Sequence, residues 1–333
     1  MMRAASLVRS KVVEVRSFPI PQPGPDQVLV KMHYASICGS DVHVIFDGFH
    51  NPEHLGRPGY PGHEGIGTVA ASTNPGLPIG SPVLTVPHGQ RGGCFAEYQA
   101  IDVAQTIALP VGSDLRRLLL AQQLGTTVFA MKKFLPPATP SRDLPGLAAV
   151  IGAGSAGLFF LQQLRARGIE VIVSDLNQDR LKVADRLGAA QTVLEPMESV
   201  IDAAHARTGG AGVDLVIEAA GYDVPRAAAV DAVRARGTVG FFGYPQLKGL
   251  APFPVERSFR KELTMVWSSK TQAEPGLASF RTAIELIQTG AIQVDHCLQA
   301  MYDLEDAPAA IAAARAHGNG AAKVGIVLPV AYM

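Results

Sequence analysis

The stretch LAAVIGAGSAGLFFLQQLRARGIEVIVSD, Leu147 to Asp175, restricts what this chain can fold into more than any other. An apolar run over Leu147 to Ile151 meets Gly152-Ala153-Gly154-Ser155-Ala156-Gly157. A segment with one apolar face follows, and a second apolar run, Ile169 to Val173, leads to Asp175. Strand, glycine turn, helix and strand in that order make a βαβ unit of the nucleotide-binding type. The three glycines serve different ends. Gly152 permits the tight turn, Gly154 lets backbone approach a pyrophosphate, and Gly157 lets the helix lie close on the strand. The pyrophosphate is expected at the helix N-terminus, on Gly154, Ser155, Ala156 and Gly157, where unpaired N–H groups and the positive end of the helix dipole meet it.

Asp175 lies 18 residues beyond Gly157, where a carboxylate accepts from both ribose hydroxyls of an adenosine. That favours NAD over NADP, because a 2′-phosphate would meet the carboxylate's charge. Arg180, five residues on, is expected to pack on the adenine. A glycine turn without a ligand is the bland alternative, and the two flanking strands and the acid argue against it.

A length of 333 residues suggests about two domains. The 29 basic and 29 acidic residues balance, so no general field favours nucleic acid or an anionic membrane as partner. Three widely spaced cysteines give no disulfide framework and suit a reducing compartment. The N-terminal residues have no continuous apolar core, so the expectation is a cytoplasmic protein without a signal peptide or membrane span.

Residues 1 to about 120 hold short β-type runs (Lys11 to Phe18, Val28 to Tyr34, Ile66 to Ala71, Val83 to Val86) between Pro, Gly and Asn punctuation, a mainly-β, barrel-like layout. From Leu115 the pattern turns helical, and a Pro-rich link, PPATPSRDLPG, leads into the βαβ unit. Helices at Arg180 to Leu187 and Val224 to Arg234 then alternate with strands at Val213 to Ile217, Thr238 to Gly243 and Leu263 to Trp267. This is the pattern of a doubly wound parallel α/β sheet. Helices near Leu277 to Gln288 and Pro308 to Ala316 and a strand over Lys323 to Val330 close the chain. His50 and His54 in HNPEH imitate a histidine pair on a helix, but Pro52 argues for a mobile surface loop.

Cys38, His63 and Glu64 offer a thiolate, an imidazole and a carboxylate, all good zinc ligand types, on loops of the first domain. Their surroundings, ICGSDVH and PGHEGIG, together with the later glycine turn, KELTMVW and AAKVGIVL, resemble the zinc-dependent medium-chain dehydrogenase/reductase family over nearly the whole chain. The C-G-S-D-x-H wording is most similar to its sorbitol/polyol and threonine dehydrogenase branch. The resemblance implies a GroES-like catalytic domain over 1–121 and 269–333 and an NAD-binding Rossmann domain over 122–268. It implies Cys38, His63 and Glu64 as metal ligands, Asp41 as the partner fixing the His63 tautomer, Ser40 as the hydroxyl nearest the substrate oxygen, and His43 as the end of a proton relay. It also implies a homodimer or homotetramer acting on a small alcohol or ketone.

Three departures from the family pattern modify that expectation. A position for a further acidic or cysteine ligand holds Gln122, a poor zinc ligand. The four-cysteine lobe of a structural zinc is absent, so one catalytic zinc is expected. The arginine that polyol enzymes aim at substrate hydroxyls appears as Lys270, and an aromatic position holds Val44, so the set that reads a polyol is depleted. Three readings stay open. The first is a zinc- and NAD-dependent dehydrogenase of a secondary alcohol, with sugar and amino alcohols among the candidates. The second is a zinc-free enone or quinone reductase of the same superfamily, for which Gln122 speaks. The third is a non-catalytic dinucleotide-binding protein.

Overall fold

The structure is a computed structural model that describes residues 1–88, 91–135 and 145–329. Most of the Pro-rich link, residues 136–144, lies outside the described residues. The chain divides into two compact units, Met1–Gly125 with Lys270–Met333, and Thr126–Ser269.

In the first unit β1 (Met2–Arg9) and β2 (Val12–Phe18) form an antiparallel hairpin. The other strands of this part of the chain are β3 (Gln27–Ile37), β4 (Glu64–Ala71), β5 (Pro82–Thr85), β6 (Tyr98–Asp102) and β7 (Thr106–Ala108); helix α1 (Gly39–Phe46) follows β3 directly. Where a single helix is expected from Leu115, there are two, α2 (Leu115–Leu118) and α3 (Ala121–Phe134). The Asp114 carboxylate accepts from Arg117 N at 3.1 Å and caps the first. Pro52, which argues against a helix, instead opens a 3-10 turn over Pro52–His54, with Asn51 Oδ1 accepting from Glu53 N.

The second unit begins with β8 (Leu147–Ile151), α4 (Ser155–Arg165), β9 (Glu170–Asp175) and α5 (Gln178–Arg186). It continues with β10 (Gln191–Leu194), α6 (Val200–Arg207), β11 (Val213–Glu218), α7 (Asp223–Ala232), β12 (Val233–Phe241), α8 (Val255–Arg260) and β13 (Thr264–Trp267). The six strands are all parallel in the order β10-β9-β8-β11-β12-β13. Burial on both faces explains why β8, β9 and β11 are continuous apolar runs rather than alternating ones. The order reverses between β8 and β11, and a ligand crevice lies outside the carboxyl ends of the strands at such a switch. Gly152 takes φ +100° there, and a Cβ on Gly157 would stand 1.8 Å from Gly152 O, so only glycine lets α4 start this close to the turn.

Short edge elements escape sequence patterning: β10 is largely half-buried and has no apolar run, and α6 follows it. Helix α7 stops at Ala232, two residues short of the expected end. The Lys261 ammonium binds the carbonyls of Val230, Asp231 and Val233, and the chain turns directly into β12.

The chain returns to the first unit with α9 (Ala278–Gln288), β14 (Ala300–Asp303), α10 (Ala307–Arg315) and β15 (Val324–Val327). The seven-stranded sheet runs β14-β15-β3-β4-β5-β7, with β6 also on β3. Its core gathers Leu7, Val30, Met32, Ile37, Tyr60 and Phe95 with Ile311 and Ile326 from the chain's end.

Candidate functional site

The register of three strands builds the site. β3 pairs with β4 so that Ser36 faces Glu64, and with β15 so that Ile37 faces Val324. One step further along, Cys38 directly follows β3, with His63 preceding β4 on one side and Lys323 preceding β15 on the other. The ligand atoms of Cys38, His63 and Glu64 lie within 4.8 Å of one another.

Cys38 is the residue before α1, and its N–H donates to Asp41 Oδ2 at 2.9 Å. The other carboxylate oxygen of Asp41, itself buried, meets His63 Nδ1 at 2.8 Å. That contact leaves Nε2 of His63 for a metal, the arrangement of an orienting carboxylate behind a ligating imidazole. Burial opposes a charge on His63, but the Asp41 carboxylate, helped by Cys38, outweighs it and holds the ring well above its usual range. A metal at this set therefore displaces a proton.

Glu64 is committed differently from its neighbours. Its Oε2 accepts from Ser36 Oγ and pairs with Lys323 Nζ at 2.6 Å, and the two side chains are 1% and 4% exposed. Burial would raise the Glu64 carboxyl, but the Lys323 ammonium and then His63 bring it below its ordinary value; burial would lower Lys323, and Glu64 raises it instead. Both groups are thus ionised, and Lys323 also donates to Gln123 Oε1 at 2.8 Å. The donor set fits zinc through Cys38 Sγ, His63 Nε2 and the remaining Glu64 oxygen, with Glu64's charge already offset. Sequence reading missed Lys323, since a lysine opening a terminal apolar strand carries no signal of its partner.

Gln122 is buried near this set and donates through Nε2 to the His63 carbonyl at 3.2 Å. Ser40 lies in the first turn of α1. His43 is buried on α1, its Nδ1 2.7 Å from Asp47 Oδ2. Lys270 stands at a left-handed backbone position, φ 60°, before a 3-10 turn. Burial pushes the Cys94 thiol up to about 12, which makes it a core thiol rather than a ligand.

In the second unit Asp175 Oδ2 accepts from Ala153 N at 2.6 Å, inside the glycine turn, and Oδ1 accepts from Asn177 N at 2.8 Å. Asp175 therefore holds the glycine turn. Arg180 Nη1 is 3.9 Å from Asp175 Oδ2, and a Cβ on Gly154 would be 4.0 Å from the same nitrogen. Its guanidinium thus sits beside the glycine turn.

Two family models match this chain: an alcohol dehydrogenase GroES-like domain over residues 24–111 and a zinc-binding dehydrogenase over residues 156–289. The chain belongs to the zinc-dependent medium-chain dehydrogenase/reductase superfamily. Among its relatives, a probable zinc-binding alcohol dehydrogenase of Mycobacterium tuberculosis is 29% identical, over 96% of this chain and 86% of that protein. Sorbitol dehydrogenase of Bacillus subtilis is 25% identical, over 97% of this chain and 96% of its own. A structure from Sinorhizobium meliloti, named for a zinc-binding dehydrogenase and bound to NADP, superposes with a TM-score of 0.82 at 26% identity, covering 98% of this chain and 99% of its own.

Proposed function

We propose that this protein transfers a hydride between a secondary alcohol, with sugar and amino alcohols among the candidates, and NAD, at one catalytic zinc and without a structural zinc. The observation that carries this reading is the convergence of Cys38, His63 and Glu64 with Asp41 on His63 Nδ1. Zinc, when bound, supplies a Lewis acid that lowers the pKa of an alcohol toward neutrality, and the nicotinamide accepts the hydride.

Around these groups the chain's own residues have separate roles. Asp41 fixes the tautomer of His63. Lys323 offsets the charge of Glu64, so a zinc held by Cys38, His63 and Glu64 would be left the stronger Lewis acid toward a substrate oxygen. Gln122 adds no charge there. Ser40 is the hydroxyl assigned to the alcohol proton, and His43, held at Nδ1 by Asp47, receives that proton at Nε2.

Asp175 supports NAD: its carboxylate is fixed by two backbone N–H groups, and a 2′-phosphate would meet it directly. A relative's structure holds NADP, so cofactor preference is the point to test. The exposed Met265 and Trp267 on β13 support assembly as a homodimer or homotetramer. No helix among the described residues is long and apolar enough to cross a membrane, and the three free cysteines support a cytoplasmic location.

The deciding experiment is oxidation of a panel of secondary alcohols with NAD and with NADP, beside elemental analysis of protein purified without chelator. About one zinc per chain and a higher kcat/KM with NAD are expected. Two zincs or none, or equal kcat/KM for both cofactors, would overturn the corresponding part of the reading.

A further inference from the structure

A buried ion pair in the second unit is used by neither the glycine turn nor the metal set. Glu218, the last residue of β11, and Arg226, on α7, are 0% and 6% exposed, and their Oε2 and Nε atoms stand 3.8 Å apart. Neither of those two atoms has a hydrogen bond. Burying two charges is costly unless their remaining atoms are well used.

Those remaining atoms bind backbone almost throughout. Glu218 Oε1 accepts from Ala220 N at 2.7 Å and Gly221 N at 2.6 Å, in the loop after β11. The Glu218 carbonyl accepts from Phe242 N and Gly243 N, in the loop after β12. Arg226 Nη2 donates to the carbonyls of Gly221, Gly243 and Tyr244 at 3.2 to 3.3 Å, while Nη1 holds Asp223. The two loops also touch backbone to backbone. A Cβ on Gly243 would stand 2.2 Å from Gly221 N, and one on Gly221 would stand 2.5 Å from Tyr244 O. The loop after β11 in turn abuts the glycine turn, since a Cβ on Gly152 would be 3.1 Å from Ala220 N.

These loops lie at the carboxyl ends of β11 and β12, on the far side of the switch point from Asp175. A dinucleotide laid across that switch has its adenosine over β9 and its other nucleotide over β11 and β12. We propose that Glu218 and Arg226 are positioning residues that lock the loops after β11 and β12 into one backbone platform for the nicotinamide ring of the cofactor. The inference rests on the dinucleotide reading above.

NADH and ADP-ribose, which lacks the nicotinamide ring, separate this role from simple stability. Calorimetric affinities for both are compared in the wild type, Arg226→Gln, Arg226→Lys and Glu218→Gln, with thermal melting of each. In Arg226→Gln, NADH binding should weaken about tenfold or more while ADP-ribose changes less than about twofold, and Arg226→Lys should recover part of the loss. In the wild type, hydrogen exchange should show NADH, but not ADP-ribose, adding protection at 219–222 and 242–244; this arm needs no variant to fold. Equal weakening for both ligands, no weakening for either, or no NADH-specific protection would overturn the platform role. A wild type that binds neither ligand would overturn the dinucleotide reading itself, and the platform with it.

Discussion

Lys323 is a residue whose removal should be costly. It is the buried counter-charge of Glu64, and Gln123 Oε1 takes another of its protons. Removing one partner of such a pair strands the other in a low-dielectric setting, whereas neutralising both is much less costly. Lys323→Met is expected to destabilise the metal-free protein by about 3 kcal/mol, and Lys323→Met with Glu64→Gln should recover most of that loss, because Ser36 can still bond the amide. Denaturant unfolding of the wild type, Lys323→Met, Glu64→Gln and the double variant gives the coupling directly. Additive losses would mean that the two side chains do not act as a pair. His63 illustrates the same dependence on a partner: its charge preference comes from Asp41, 22 residues away.

At the scale of elements, β13 stands out. It is the last strand of the parallel sheet, paired with β12 on one side only, and Met265 and Trp267 on it are 41% and 58% exposed. An apolar edge of this kind invites a further strand. Trp267 is the chain's single tryptophan and stacks on Phe241 with ring centroids 4.2 Å apart, so its emission reports on this edge. At micromolar concentration light scattering should give a dimer or larger. Met265→Lys should give a monomer with red-shifted emission, and a wild type that is already monomeric would refute edge pairing. Strands such as β8 and β11 were legible as apolar runs because both faces are covered. β10 and the start of β12 were not: one is a short edge strand, and the other begins where Lys261, on a distant segment, ends α7.

For the whole molecule, the two chemistries belong to different compact units. Cys38, His63 and Glu64 lie in the unit formed by both ends of the chain, and Gly152 to Asp175 in the central one. Each set is held by bonds within its own unit, so each should fail alone. Cys38→Ser is expected to lose zinc by elemental analysis and to lose turnover, while NADH affinity by fluorescence titration stays within about twofold of the wild type. Loss of NADH binding in that variant would show the two sites to be thermodynamically coupled.

The βαβ unit, the parallel sheet and the wording around Cys38 and His63 can be read from the chain alone. Glycine turns, apolar periodicity and short motifs are local properties of the backbone and its solvent exposure. Tertiary structure alone decided who neutralises whom. Lys323 reaches Glu64 because the β15 and β4 registers on β3 bring residues from near both ends of the chain to the end of one strand. Glu218 and Arg226 are close in sequence, yet their work depends on a second loop, at Gly243 and Tyr244, that only the neighbouring strand β12 delivers. A charged side chain carries no local mark of its partner, because that choice is made by strand pairing and burial, which join segments far apart in the chain.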